Sequence, residues 1–231
     1  MAAMKKLSDR RVAAFFSLVL ASGLCVALLA VRVRYPHGSD FEFLTWNLFL
    51  AWIPFMLAVV LHDGARRGHG IAFLGVVGFL WLLFLPNAPY IVTDFVHVGR
   101  VSGVPVWYDA AMIASFAGVG LVLGLASILL VQGVVERRFG AAVGWLMLAP
   151  VFFLCSAGIY IGRVHRLNSW DAITRPGTLL RGFADRLADP LAQPEAIVAL
   201  IGAMGLLTVA YLVLYTISDL RLDRGPRSDR G

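Results

Sequence analysis

The residues best suited to chemistry lie in two stretches. The first reads Leu85-Pro-Asn-Ala-Pro-Tyr-Ile-Val-Thr-Asp-Phe-Val-His97 and carries an amide (Asn87), a phenol (Tyr90), a carboxylate (Asp94) and an imidazole (His97). The second reads Gly162-Arg-Val-His-Arg-Leu-Asn-Ser-Trp-Asp171 and carries two guanidiniums (Arg163, Arg166) around His165, then Asn168, Trp170 and Asp171. Paired arginines suit a carboxylate or a phosphate, because a guanidinium presents its donors as a planar fork. Asp94, His97 and His165 are the groups able to act as a base, and the same three could ligate a divalent cation. The spacing matches no HExxH pattern, no Gly-rich phosphate loop and no Gly-x-Ser-x-Gly elbow, so these residues define a candidate site without naming a reaction.

Helical spacing orders the first stretch. With Pro89 as the first residue of a new helix, Tyr90, Asp94 and His97 fall four and three apart and share a face, while Ile91, Val92, Phe95 and Val96 point away. A short connecting stretch, Pro105-Val-Trp-Tyr-Asp109, leads to the next apolar run. Trp107 and Tyr108 fit an interfacial aromatic belt, and Asp109 reads as a helix N-cap. Simple structural roles compete at each position: a wetted amphipathic turn for the first stretch, snorkelling or headgroup contact for the arginines, and local capping for Asn168 and Asp171.

What must hold these residues is a membrane bundle. Of 231 residues, 59% are hydrophobic and 15% charged, against about 25% charged in a soluble domain, and the mean hydropathy is +0.79. Such a chain cannot cover itself with polar surface in water. The net charge of +6 sits in tails and short loops, where membrane topology accounts for it and nucleic-acid binding is not needed. Six apolar runs stand out, at residues 12–31, 43–61, 71–85, 110–131, 139–161 and 196–217. All but the third approach or exceed the ~20 residues needed to cross the hydrocarbon core.

The third run has only 15 residues, and Pro86 follows it. Proline removes a ladder donor and disfavours helix in the preceding Leu85, so the helix is expected to break at Pro86–Pro89, below the headgroups. Irregular backbone at that depth needs protein or a wet cavity to satisfy it. An intramembrane Asp94 is a functional candidate for the same reason. A permease or channel using the broken helix is one alternative reading, and a scaffold for a protein partner is another.

Lys and Arg in the loops set the orientation. With six crossings, one side holds twelve and the other eight, which favours both termini in the cytoplasm and the two motif stretches outside. Residues 1–11 and 218–231 then form basic tails. Two long runs separate the motif stretches, so both must emerge on one side. Residues 178–189 alternate Leu179, Leu180, Phe183 and Leu187 with charged residues, the pattern of a short surface amphipathic helix.

Other polar residues have plainer expectations. Asn47 follows Trp46 into the second run on the motif side; a local hydrogen bond is its simplest use, and reach into the polar cluster is the alternative. His62 and His69 flank the Arg66-Arg67 turn and read as solvated. Cys25 and Cys155 sit in separate runs without CxxC spacing and read as core. Gly120-x-x-x-Gly124 and Gly140-x-x-x-Gly144 read as close helix packing within one bundle.

The string Phe84-Leu-Pro-Asn-Ala-Pro-Tyr-Ile-Val-Thr-Asp94, the Trp107-Tyr-Asp109 step, Gly162-Arg163 and Asn168-Ser-Trp-Asp171 together resemble the bacterial membrane-protein family known as domain of unknown function 1361. The resemblance runs from the second apolar run to the sixth. It implies a multi-pass protein of the bacterial cytoplasmic membrane and brings no established activity. It marks Asn87, Tyr90, Asp94, Asp109, Arg163, Asn168 and Asp171 as the positions to inspect. The expected protein is thus an all-α, single-domain bundle of six spans. Its polar end would take an anionic or phosphate-bearing ligand, lipid-linked ones included, with hydrolysis and a divalent metal as further readings.

Overall fold

The computed structural model describes residues 2–36, 38–100, 103–165, 177 and 194–222. Among these the chain is helical, with no strand. Helix α1 spans Ala2–Arg32, and a 3₁₀ turn at Gly38–Phe41 leads into α2, Phe43–Arg66. Helix α3 covers Ile71–Phe84, α4 is one turn at Asn87–Tyr90, and a 3₁₀ segment continues over Ile91–His97. Helix α5 runs Val106–Phe139, α6 Ala141–Leu146, α7 Leu148–His165 and α8 Pro194–Leu222. Six segments are long and apolar enough to cross a membrane: Val12–Arg32, Gly38–Arg66, Ile71–His97, Val106–Phe139, Ala141–Arg163 and Ile197–Ser218. The expected amphipathic helix at 178–189 lies outside the described residues.

Helix α5 is the hub. Its 34 residues reach about 50 Å at the α-helical rise, more than one hydrocarbon thickness, and half of its apolar window is buried. It packs along α2 and also meets α1, α4, α6 and α8. Helices α1 and α8 lie at the rim, where Phe16, Leu20, Val198 and Ile201 are exposed. Exposed apolar side chains on two outer helices suit contact with acyl chains and would be costly in water. Gly140 ends α5 at φ 92°, a conformation that costs a residue with a Cβ. Just beyond it, Pro150 withholds the N–H that would reach Leu146, and α6 and α7 part at Met147.

The third segment, Ile71–His97, is long enough to cross, and α3 runs antiparallel to α2 from end to end. Gly64 near the end of α2 abuts Phe73 and Leu74, Gly78 faces Leu61, and Asn47 near the start of α2 meets Asp94. The span is longer than its apolar run because helical sense continues past the prolines. Leu85 keeps helical dihedrals of −53° and −41° despite preceding Pro86, and Pro86 itself lies at −58° and −26°. The ladder is interrupted while the direction of the chain is kept. The Ala88 N–H bonds Leu85 at 3.1 Å, and the Asn87 side chain donates to the Phe84 carbonyl at 2.9 Å, replacing a lost ladder bond. The new helical turn begins at Asn87, with Pro89 inside it rather than leading it.

Glycines seat this interrupted segment. A Cβ on Gly120 would lie 2.5 Å from the Ala88 carbonyl oxygen, one on Gly124 3.0 Å from the Ala88 Cβ, and one on Gly158 2.6 Å from the Pro86 ring. Helices α5 and α7 therefore close on the proline turns at backbone distance, a role for the Gly120-x-x-x-Gly124 pattern within one bundle. Two large apolar clusters fill the interior, with a smaller one at Leu61, Leu74, Val77 and Val134. One gathers Cys25, Leu44, Leu48, Ile91 and Phe116; the other gathers Trp81, Leu125, Phe152, Cys155 and Tyr211. Both thiols are free and buried, consistent with a packing role.

Candidate functional site

The ends of α1, α3 with its extension, and α7 meet the starts of α2 and α5 at one end of the bundle. Two buried carboxylates anchor that end. Asp94 accepts a hydrogen bond from Asn47 Nδ2 at 2.9 Å on one oxygen and faces the Arg163 guanidinium at 3.4 Å on the other. The Asp94 side chain is 2% exposed and that of Arg163 is 32% exposed. Asp94 and Arg163, one from each motif stretch, thus meet at one end of the bundle.

Asp109 makes the second anchor. Arg32 donates Nε to Asp109 Oδ1 at 2.6 Å and a second nitrogen to Oδ2 at 3.5 Å, while its third reaches the Pro36 carbonyl at 2.9 Å. The guanidinium also lies 5.1 Å from the centre of the Phe41 ring, within cation–π range. Both side chains are fully enclosed. The N-cap expected of Asp109 does not form: Pro105 occupies the cap position and makes no side-chain cap bond. Asp109 stands one turn inside the helix, where a buried arginine outcompetes backbone N–H groups already held in the ladder. Next to it, Tyr108 donates its hydroxyl to the Leu28 carbonyl at 2.8 Å and ties α5 to α1. Trp107 is exposed, as an interfacial anchor would be.

The face expected from 3.6-residue spacing is redistributed. In a 3₁₀ segment residues three apart eclipse, so Ile91, Asp94 and His97 align rather than Tyr90, Asp94 and His97. Ile91 is consequently buried against Gly120, whereas Phe95 and Val96 are exposed as expected. Tyr90 packs beside the second apolar cluster, and its carbonyl accepts the Thr93 hydroxyl at 2.7 Å. His97 turns Nδ1 to the Asp94 main-chain oxygen at 3.1 Å and rests its ring on Phe43. It therefore engages the Asp94 backbone, not the carboxylate.

Among the described residues, no three His, Cys, Asp or Glu side chains are grouped to hold a metal ion. The expected Asp94/His97 metal pair is arranged otherwise here: Asp94 points its oxygens at Asn47 and Arg163, and His97 points Nδ1 at the Asp94 main-chain oxygen. Asn87 serves the backbone of the proline turn. Arg166, Asn168, Trp170, Asp171 and the side chain of His165 lie outside the described residues.

Three residues did more than their sequence context suggested. Arg32, counted as a loop cation, is a buried partner. Asn47 reaches the cluster rather than bonding locally. His62 is buried in α2, where Arg137 of α5 donates to its Nδ1 at 3.1 Å, so it is no solvated loop residue. Further along, Tyr211 donates to Gln132, whose amide donates to Glu136 at 2.8 Å, giving this opposite end its own polar links. The signal for Arg32 was available: an arginine closing one apolar run and an aspartate opening another at the same bundle end can neutralise each other.

Comparison with known proteins adds a family and no activity. No curated protein and no solved structure matches the chain. The family model described as a protein of unknown function, DUF1361, matches residues 46–210, a region that holds Asn47, the proline turns, Asp94, Asp109 and Arg163. With that match covering most of its length, and with six helices fit to cross a membrane, the chain belongs to the DUF1361 family of multi-pass membrane proteins.

Proposed function

We propose that this end of the bundle binds an anionic, phosphate-bearing group, carried by a lipid or free, and that Arg163 is its principal contact. One observation carries the reading: Arg163 is a partly exposed guanidinium held by a buried carboxylate. A 3.4 Å contact from one nitrogen to Asp94 fixes the side chain at the membrane boundary. It uses one of the five N–H donors, and a guanidinium has a second edge able to take a phosphate oxygen pair. Arg32 differs, since it is enclosed and fully committed to Asp109, Pro36 and Phe41. The proline turns are closed by Gly120, Gly124 and Gly158, so the break serves as a packing device, and a transport route through it has no comparable support. Placement of this end outside the cytoplasmic membrane, with both termini inside, follows from the loop charge bias and is part of the proposal.

Calorimetric titration of the protein in nonionic detergent tests it. Short-chain phosphatidylglycerol or inorganic phosphate is expected to bind, short-chain phosphatidylcholine is not, and Arg163→Gln should weaken binding at least about tenfold, the value of a charged hydrogen bond. Phosphatidylglycerol alone binding identifies a lipid headgroup, and inorganic phosphate binding equally well identifies a free anion. Binding unchanged in Arg163→Gln, or no preference over phosphatidylcholine, would overturn the reading.

A further inference from the structure

We infer that the site is proton-coupled: binding of the anion at Arg163 is accompanied by uptake of one proton on Asp94. The inference rests on the function proposed above and adds its regulation. The argument is a charge count in an enclosed place. Asp94 and Arg163 neutralise each other, and Asn47 supplies a neutral donor to the second carboxylate oxygen. A phosphodiester brought to the same guanidinium leaves two anions on one cation among the described residues. A buried carboxylate stripped of its share of positive charge is costly, and the cheapest remedy is protonation from water. The protonated acid keeps the Asn47 bond on its carbonyl oxygen and gains a donor of its own.

Among the described residues, the groups around Asp94 leave few other places for that proton. From α2 the facing group is the neutral Asn47, and from α7 it is Arg163 itself. On the α5 side, Asp109 is committed to Arg32. Tyr90, one turn earlier, packs beside the second apolar cluster. His97 is the competitor, being titratable and three residues away. Its Nδ1 faces the Asp94 main-chain oxygen and its ring is only half-buried, so a proton placed there would not relieve the enclosed carboxylate.

Calorimetry in buffers of different ionisation enthalpy counts the protons directly on the unmodified protein. The probes are short-chain phosphatidylglycerol and inorganic sulfate, neither of which titrates across the neutral range; sulfate stands in for free phosphate. About one proton should enter per ligand, and affinity should fall as pH rises, approaching tenfold per pH unit where the free site is ionised and the bound site protonated. Asp94→Asn should abolish both effects, and His97→Gln should leave both in place. Binding with no proton uptake in the unmodified protein overturns this inference and leaves the proposed function standing. Uptake that persists in Asp94→Asn, or vanishes in His97→Gln, overturns the assignment to Asp94. Absence of binding by either probe at every pH overturns the proposed function and this inference together.

Discussion

Asp109→Ala is expected to destabilise the protein by about 3–5 kcal/mol, because it leaves Arg32 charged and enclosed with no carboxylate. Arg32 cannot escape by losing its proton, since a guanidinium stays charged at any working pH. Nor can it swing to water: Pro36 and Phe41 hold it, and a Cβ on Gly38 would already lie 2.2 Å from the Arg32 carbonyl oxygen, so the loop folds tightly over the helix end. The loss should appear as a large fall in the thermal unfolding midpoint in detergent. The double variant Arg32→Leu with Asp109→Leu should recover much of it, since a buried ion pair is often no better than apolar residues of similar volume. A double variant no more stable than Asp109→Ala would mean that the pair contributes more than mutual neutralisation.

Gly120→Ala is the second large effect, expected at about 1–3 kcal/mol or more. One methyl group placed 2.5 Å from the Ala88 carbonyl oxygen and 2.9 Å from Ile91 Cδ1 must push the proline turn off α5. The obstacle is backbone, which cannot rotate aside as a long side chain can. Displacement there would also move Asp94, which lies on the same 3₁₀ line as Ile91. The variant should therefore lose stability and anion affinity together. Gly118→Ala on the same helix, where an added Cβ meets nothing within 4 Å, should lose neither, and thermal unfolding with ligand titration of the two variants checks the contrast.

Much of this architecture could be read from the chain itself. Five of the six spans follow from run length, the third being longer than its apolar run, and the placement of Asp94 and Arg163 at one end follows from the two apolar runs between their stretches. The burial of Asp94 was foreshadowed by depth: a short apolar run, then prolines, then an acid. What the sequence could not supply was periodicity inside the interrupted segment. Pro86 and Pro89 both withhold N–H groups, the ladder tightens toward i→i+3, and Ile91 takes the buried position that 3.6-residue spacing assigns elsewhere. Long-range partner choice was marked only by an arginine and an aspartate closing and opening runs at the same bundle end. Asp109 has a plausible local role as a cap, and nothing within a few residues reveals that Arg32, 77 positions away, claims it. His62 was misjudged because α2 extends to Arg66, beyond the apolar run, carrying the imidazole into contact with α5.

These features assemble into one physical picture. Helix α5 supplies glycines that let the proline turns approach, the turns place Asp94 inside the boundary of the bundle, and Asp94, itself held by Asn47, pairs with a partly exposed Arg163. The Arg32–Asp109 pair closes the neighbouring wall by joining the end of α1 to the start of α5. Everything depends on the segments after the third and fifth spans opening on the same side of the membrane.

Single-cysteine labelling measures that directly. In a background with Cys25→Ala and Cys155→Ala, cysteines are introduced by Arg100→Cys, Gly177→Cys and Arg67→Cys, all at exposed positions. A membrane-impermeant maleimide added to intact cells should modify the first two, and the Arg67→Cys variant should react only after the membrane is opened. Opposite accessibility of positions 100 and 177 would contradict the shared site.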